Sequence, residues 1–278
     1  MNPSNISKDR SPAAPTVHDT SFRETFLMET KNFRDLVGHQ KAKDLLLEKV
    51  IKPLRHSEEI NGVSSAEPRF FLLEGPSGCG KTALAQAVAG EVNGDLYRVG
   101  LATMIPTPFC NDRLAQFASE VRQHHAETKR PIVLSVDDTD EDMGCSGAFE
   151  RTLTACMAAI ESGALGASAP VLLVVQTSDA RLIPAQMRSK FDGHQAQVGL
   201  PARDELKEIF GRLLERAPVD DSVSTEKLAR LAEGLSFREV LCSCQSAMGK
   251  TIKEAFASGR EFQMTQSALE LAIKRYRP

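Results

Sequence analysis

An eight-residue glycine-rich segment constrains the fold of this chain more than any other feature of its sequence. Residues 75–82 read GPSGCGKT and fit the phosphate-binding pattern G-x-x-x-x-G-K-[ST] without a mismatch. The apolar run Phe70–Leu73 before the segment predicts a buried strand, and the run Ala83–Ala89 after it is rich in helix formers. A strand, a glycine-rich turn and a helix in this order predict a loop that binds phosphate through backbone N–H groups and a helix N-terminus.

The phosphate-binding pattern predicts that every residue of this loop contacts the bound nucleotide. The lysine reaches the β- and γ-phosphates of a nucleoside triphosphate, and the hydroxyl that follows holds Mg²⁺. The predicted nucleotide-binding residues are Gly75, Pro76, Ser77, Gly78, Cys79, Gly80, Lys81 and Thr82, and Thr82 is also a predicted metal ligand.

A second part of the site is predicted where an acidic pair ends the apolar run Ile132–Val136. The carboxyl ends of parallel strands lie at the same edge of a sheet as the phosphate loop. Asp137 is therefore predicted to bind the metal through water, and Asp138 to orient the attacking water as a base. The alternative interpretation of residues 137–142 is a solvated acidic loop that follows a strand.

Apolar runs alternate with helix-forming segments over residues 31–200. This alternation predicts an α/β domain, a P-loop parallel sheet with helices on both faces. The predicted strands are Phe70–Leu73, Leu96–Val99, Ile132–Val136 and Val171–Gln176. One predicted helix, Gln40–Lys52, is expected to end at Pro53.

The strand signals stop after residue 200, and residues 201–278 are predicted to form a small all-α helical lid domain. The predicted helices of this domain are Asp204–Arg216, Ser224–Gly234, Ser236–Ser258 and Thr265–Tyr276. Residues 1–30 are predicted to be a disordered N-terminal tail, because they begin with a stretch rich in Pro, Ser, Asn and Asp that has no periodicity.

The charge, hydropathy and cysteine content of the chain argue against several classes of protein. The net charge of −3 and the pI near 6.1 give no overall basic field, so nucleic acid is not an expected partner. No apolar run approaches the ~20 residues of a membrane span. The six cysteines show no zinc spacing, and Cys79 lies in the phosphate loop, where a disulfide would obstruct the site. Free thiols and a cytoplasmic, reducing compartment are therefore expected.

Motif order, spacing and the two-domain layout resemble those of the AAA+ ATPases, in particular single-module members of the protein-remodelling type. The resemblance covers residues 33–278. It implies that the nucleotide is ATP, and that Val37 and Gly38 lie against the adenine.

The same resemblance implies an arginine finger in the segment 180–192, a residue that stabilises transition-state charge in the site of a neighbouring subunit. Arg188 and Lys190 are the two candidates. Arg188 is favoured because a guanidinium binds phosphate oxygens bidentately, whereas Lys190 offers only a point charge.

Three further roles follow from the resemblance. Ser178, with Thr177 beside it, occupies the position of the first sensor, and a hydroxyl there binds water or phosphate. Arg238 occupies the position of the second sensor and is expected to contact the nucleotide phosphates from the lid. Phe109 lies where threading machines carry an aromatic pore-loop residue, although it also suits packing in the core.

One departure from the family limits the predicted rate. The family usually has glutamate where this chain has Asp138, and the aspartate carboxylate is on the order of 1 Å shorter in reach. Positioning errors of that size cost up to ~10²-fold in rate. ATP binding is therefore expected, with hydrolysis that is slower than in members with glutamate.

The sequence thus predicts an ATPase subunit that forms a homo- or hetero-oligomeric ring, expected to be a hexamer, and couples hydrolysis of Mg·ATP to remodelling of a protein substrate. One alternative is a nucleotide-dependent assembly scaffold with weak hydrolysis. A less favoured alternative is a clamp-loader or branch-migration relative that acts on DNA, suggested by the segment 187–191.

Overall fold

A mostly parallel β-sheet organises the N-terminal part of the chain. The computed structural model describes residues 27–56, 69–99, 110–138, 147–166, 169–215, 217–259 and 261–277. The strands are β1 (Leu27–Met28), β2 (Phe70–Glu74), β3 (Asp95–Arg98), β4 (Ile132–Asp137), β5 (Val171–Thr177) and β6 (Gln195–Gln197). Their order is β1-β3-β4-β5-β2-β6, and each neighbouring pair is parallel except β1 with β3.

Helices cover both faces of this sheet. In chain order they are α1 (Gln40–Leu46), α2 (Lys52–His56), α3 (Lys81–Glu91), α4 (Cys110–Thr128), α5 (Ala148–Glu161) and the single turn α6 (Ala185–Arg188). Alternate residues of β5 face opposite cores: Leu172 packs with α1 and α3, and Leu173 packs with α4 and α5. Burial of both faces explains why the strands read as continuous apolar runs.

A separate helical domain follows the sheet. Its helices are α7 (Arg203–Leu214), α8 (Thr225–Leu231), α9 (Phe237–Ser258) and α10 (Gln266–Lys274), which share one apolar core. Ser224, Ser236 and Thr265 cap three of them, each side-chain oxygen accepting a backbone N–H from the first turn. A P-loop sheet with a helical lid is the fold class that the sequence predicts, and it is confirmed.

Pro53 does not end the helix that the sequence places at residues 40–52. The chain passes from α1 through a π-helical turn, Leu47–Ile51, and continues as α2, which includes Pro53. The Lys52 N–H donates to the Leu47 carbonyl, five residues back. A widened turn before a proline relieves the clash of its ring with the preceding carbonyls, so the helix continues.

Two short strands have no counterpart in the sequence prediction. Leu27–Met28, inside the predicted tail, pairs with β3 at one edge of the sheet, and Gln195–Gln197 pairs with β2 at the other. Strands this short leave no periodic signal, because only their partners in the sheet define them.

The sheet order sets the position of the site. β5 lies between β2 and β4, with Glu74 opposite Thr177 and Gln176 opposite Asp137. The residues that follow these three strands therefore meet at one edge of the sheet. Among the described residues, no helix combines the length and apolar character needed to cross a membrane.

Candidate functional site

The phosphate loop between β2 and α3 adopts a conformation that needs its glycines. Gly78 and Gly80 have φ values of 77° and 98°, in the left-handed region that favours glycine. A Cβ on Gly75 would lie 2.0 Å from the Val198 carbonyl oxygen, so that position also excludes a side chain. The backbone therefore curls as the phosphate-binding pattern predicts.

Lys81 lies over the curled loop. Its side chain is 6% exposed, and its Nζ donates to the carbonyl oxygens of Gly75 at 2.6 Å and of Pro76 at 3.1 Å. These uncharged carbonyl acceptors satisfy N–H groups of the ammonium without pairing its charge. An anion beside the loop would lie next to a buried cation, which is an arrangement suited to phosphate.

Thr82 is held between the ends of β4 and β5. Its Oγ1 lies 2.9 Å from Gln176 Oε1 and 3.5 Å from Asp137 Oδ2. The Gln176 amide nitrogen in turn donates to Ser135 Oγ at 2.7 Å, and Gln176 is completely buried. Gln176 is not among the site residues predicted above, although its position as a polar residue near the end of an apolar strand is a signal that could have identified it.

Thr82 and Asp137 present oxygen atoms of the kind that Mg²⁺ prefers. A hydroxyl and a carboxylate oxygen are hard ligands, and magnesium is commonly bound by one or two such groups together with substrate phosphates. Within the described part of the chain, no cluster of three or more His, Cys, Asp or Glu side chains forms a metal site by itself. The donor set fits a metal that arrives with a nucleotide.

Replacing Gln176 by leucine is expected to destabilise the protein by on the order of 2 kcal/mol. The change leaves the buried Ser135 hydroxyl without its Gln176 partner and the Thr82 hydroxyl with only its 3.5 Å contact to Asp137, and an unpaired buried polar group costs about 1–3 kcal/mol. Urea unfolding would measure the change, with Ser135→Ala as the matched control that removes only one of the two contacts. An unfolding midpoint equal to that of the wild type would contradict this assignment.

Asp138 occupies a buried position just after β4. The residue is 6% exposed, and its Oδ2 accepts hydrogen bonds from Thr177 Oγ1 at 2.9 Å, Ser178 N–H at 2.5 Å and Ser178 Oγ at 2.8 Å. Its other carboxylate oxygen, Oδ1, is buried and has no hydrogen-bond partner among the described residues. One oxygen is thus fixed by three donors, and the second is available to a ligand or water.

The segment predicted to face the adenine lies against the lid. Val37 packs on the apolar core of the lid, and Gly38 has φ 73° with the Glu205 carboxylate directly above it. Glu205 accepts the His39 N–H at 3.0 Å and the Ala202 N–H at 2.8 Å. This carboxylate therefore links the first domain to the start of α7. Its partner is 166 residues away, so no local pattern predicts the contact.

The start of α9 contacts the phosphate loop directly. The Arg238 N–H donates to the Gly78 carbonyl oxygen at 3.1 Å, and a Cβ on Gly78 would lie 2.9 Å from both Arg238 Cβ and Ser236 Oγ. The exposed Arg238 side chain thus begins next to the loop, as expected of a residue that contacts phosphate from the lid. The structure brings its backbone to the site.

The two finger candidates differ in their surroundings. Lys190 is paired with Glu161 of α5, and its Nζ lies 5.6 Å from the centre of the Phe70 ring. Arg188 is exposed and, among the described residues, donates to backbone carbonyls of its own segment, those of Ile183 at 2.8 Å and Arg181 at 3.1 Å. Lys190 is thus engaged within its own subunit, and Arg188 remains the predicted finger. Phe109, the pore-loop candidate, lies outside the described residues.

Comparison with known proteins agrees with this arrangement. Residues 71–197 match the model of the ATPase family associated with various cellular activities. The chain is 30% identical over 227 residues to the ATP-dependent zinc metalloprotease FtsH of Parabacteroides distasonis, covering 77% of this chain and 32% of that protein. It is 28% identical over 291 residues to the Cell division cycle protein 48 homolog of Archaeoglobus fulgidus, covering 96% of this chain and 38% of that protein.

The fold has a counterpart among solved structures. A structure reported as the structural basis for katanin self-assembly superposes with a TM-score of 0.74 at 20% identity and covers 98% of this chain and 94% of that one. The chain spans about a third of the length of the two curated relatives above, so the likeness concerns one module of each. By its motifs, its fold and these matches, the chain belongs to the AAA family of ATPases.

Proposed function

We propose that this protein is an ATP-driven subunit that binds Mg·ATP, hydrolyses it to ADP and phosphate, and uses the energy to remodel a protein substrate or complex. One observation supports the proposal most: the carboxyl ends of β2, β5 and β4 bring together a curled phosphate loop, the Thr82–Asp137 oxygen pair and the unpartnered Oδ1 of Asp138. These are the parts that phosphoryl transfer to water requires.

Each group has a distinct task in the proposed reaction. The loop N–H groups and Lys81 bind and neutralise the phosphates, and Thr82 and Asp137 hold Mg²⁺, which supplies charge neutralisation at the reacting phosphate when bound. Asp138 orients the attacking water through Oδ1 and accepts its proton. Ser178 and Thr177 keep the other oxygen of that carboxylate in place through their hydroxyl groups.

Ring assembly is proposed from the position of Arg188. The residue is exposed and held by backbone carbonyls of its own segment, whereas Lys190, the other candidate, is paired with Glu161. A finger that acts in trans requires a second subunit in register, which a closed ring provides. The katanin structure with this fold is described in terms of self-assembly, which supports assembly here. A homo- or hetero-hexamer is the proposed form.

A protein substrate is proposed because of the relatives. FtsH is named as an ATP-dependent metalloprotease, and the module it shares with this chain is the ATPase module. A reducing, cytoplasmic compartment is proposed because Cys79 lies in the phosphate loop as a free thiol, and Cys156, Cys242 and Cys244 are also free. Oxidation at that position would block the loop.

A second function is supported by Asp138. Its carboxylate is one methylene shorter than glutamate, and three hydrogen bonds hold it at the ends of β4 and β5. If that position is too far from the reacting phosphate, the protein binds ATP and assembles but turns it over slowly. It would then work as a nucleotide-dependent scaffold, or with a partner subunit that supplies better catalytic groups.

Mass measurement in solution tests assembly and nucleotide binding together. The wild type is expected to form a ring in the presence of ATP and smaller species without it, because the nucleotide completes the contact between subunits. Lys81→Ala removes the buried ammonium group that is proposed to bind the phosphates, and the variant is expected to lose ATP-dependent assembly. A wild-type protein whose mass does not respond to ATP, and which does not bind ATP, would refute the proposed function.

A further inference from the structure

His39 is a polar group in the candidate site to which neither the motifs nor the proposed reaction gives a role. It follows Gly38 and has a left-handed backbone conformation, with φ 59°, at the residue before α1. Its backbone N–H is paired with Glu205 at 3.0 Å. Its ring atom Nε2, by contrast, is buried without a hydrogen-bond partner among the described residues. A buried ring nitrogen without a hydrogen-bond partner lowers the stability of the folded protein. A bound ligand that pairs with Nε2 would remove this cost.

The ring lies against the phosphate loop. Nε2 would be 3.1 Å from a Cβ on Gly80, the residue that precedes α3. On its other side the ring contacts Phe237, the first residue of α9, with 4.8 Å between ring centres. His39 is therefore placed between the loop and the lid. The N–H groups of such a loop bind the α- and β-phosphates of a nucleotide, so Nε2 lies next to the position those phosphates would take.

The charges around the ring favour its neutral form in the absence of a ligand. Burial lowers the pKa of His39, and Lys43 on α1 acts in the same direction. The Glu205 carboxylate on α7 and a hydrogen-bonding contact of the ring with the Cys79 backbone in the loop act in the opposite direction, and α9 contributes the uncharged Phe237. Burial is the largest of these effects. An anion placed beside the ring would oppose it by favouring the protonated form.

We infer that His39 Nε2 is a further ligand of the α/β-phosphates of the bound nucleotide, and that the ring takes up a proton from solvent as the nucleotide binds. The inference rests on the proposed function, because it assigns a role within the same site. The protonated ring donates from Nε2 to a phosphate oxygen and adds a second positive charge to that of Lys81. Charge-assisted hydrogen bonds of this kind are stronger than neutral ones.

Proton uptake on binding fixes the sign of the pH dependence. The nucleotide complex would bind a proton that the free protein does not, so the affinity for ADP rises as the pH falls through the interval between the two pKa values of His39. ADP carries both phosphates and has no γ-phosphate to hydrolyse, which makes it the suitable probe.

Two measurements on the full chain test the inference. NMR titration of the imidazole C–H signals, assigned with His39→Gln, is expected to show a higher pKa for His39 in the ADP complex than in the free protein. Calorimetry of ADP binding in buffers of different ionisation enthalpy is expected to show proton uptake by the wild type that His39→Gln lacks. Subtracting the variant removes the contribution of the titrating ADP phosphate itself. Replacement by phenylalanine is expected to weaken ADP binding about tenfold.

A pKa of His39 that stays the same or falls when ADP binds would overturn the inference, as would equal proton uptake by the wild type and His39→Gln. If His39→Phe weakens adenosine as much as ADP, the ring contacts the nucleoside and the phosphate assignment is wrong. If the wild type binds ADP and Lys81→Ala does not, the proposed function stands even where one of these results overturns the role of His39. Absence of ADP binding to the wild type would overturn both.

Discussion

Replacing Arg188 by alanine is expected to lower ATP turnover by about a thousandfold or more while ADP binding stays within a few-fold of the wild type. Arginine fingers supplied from a neighbouring subunit contribute at least that much to catalysis of phosphoryl transfer. The loss falls on turnover because the guanidinium acts on charge that develops in the transition state. Steady-state turnover and calorimetric ADP binding measure the two quantities.

The structure supplies a reason to expect this of Arg188 in particular. The Arg188 side chain is exposed, and two backbone carbonyls accept hydrogen bonds from its guanidinium, which restricts the orientation of that group. Lys190 is instead paired with Glu161 and lies over the Phe70 ring. Lys190→Ala is therefore the matched control: it is expected to affect stability by about 1 kcal/mol or less and to leave turnover within a few-fold.

Mixing two inactive variants separates action in trans from action in cis. Arg188→Ala subunits keep their own phosphate loop, and Lys81→Ala subunits keep their Arg188. In a mixed ring, some sites combine the intact loop of one subunit with the intact finger of the next, so turnover is expected to recover in part. No recovery in rings shown to contain both variants would mean that Arg188 acts within its own subunit. A large loss in Lys190→Ala would assign the finger to Lys190.

The sequence was sufficient to predict the parts of the site that are local in the chain. The phosphate loop, the strand before it and the helix after it lie within about twenty residues, so glycine spacing and apolar runs describe them well. The acidic pair after β4 is marked by its abrupt change from apolar to charged residues. The two-domain layout followed from the point at which strand signals stop.

The contacts that complete the site could not be predicted, because they join distant segments. Gln176 meets Thr82 only because β5 lies between β2 and β4, and sheet order is not encoded in any single strand. The Glu205 contact with the His39 N–H depends on how the lid sits on the first domain. The prediction that the helix ends at Pro53 was wrong for a different reason. A π-helical turn accommodates the proline, and no local sequence pattern predicts that turn.

Replacing Asp138 by asparagine is expected to lower turnover by about a hundredfold to ten-thousandfold, the usual contribution of a general base, with nucleotide binding retained. Thr177, Ser178 N–H and Ser178 Oγ all donate to Oδ2. The asparagine side chain will therefore turn its carbonyl oxygen toward these three donors and place its NH₂ where Oδ1 was. The substitution replaces the oxygen proposed to accept the proton and preserves the surrounding contacts. Ser178→Ala, which removes one donor only, is the matched control and is expected to show a smaller loss.

Asp138→Glu decides between the motor and the scaffold. If the aspartate is correctly placed for hydrolysis, the longer side chain cannot keep all three bonds at the ends of β4 and β5, and turnover should fall or stay level. A gain of about a hundredfold in the glutamate variant would instead mean that the wild-type carboxylate stops short of the attacking water, as a displacement of ~1 Å would cause. That gain, together with slow wild-type turnover that Asp138→Asn barely changes, would establish the scaffold. Brisk wild-type turnover abolished by Asp138→Asn would exclude it.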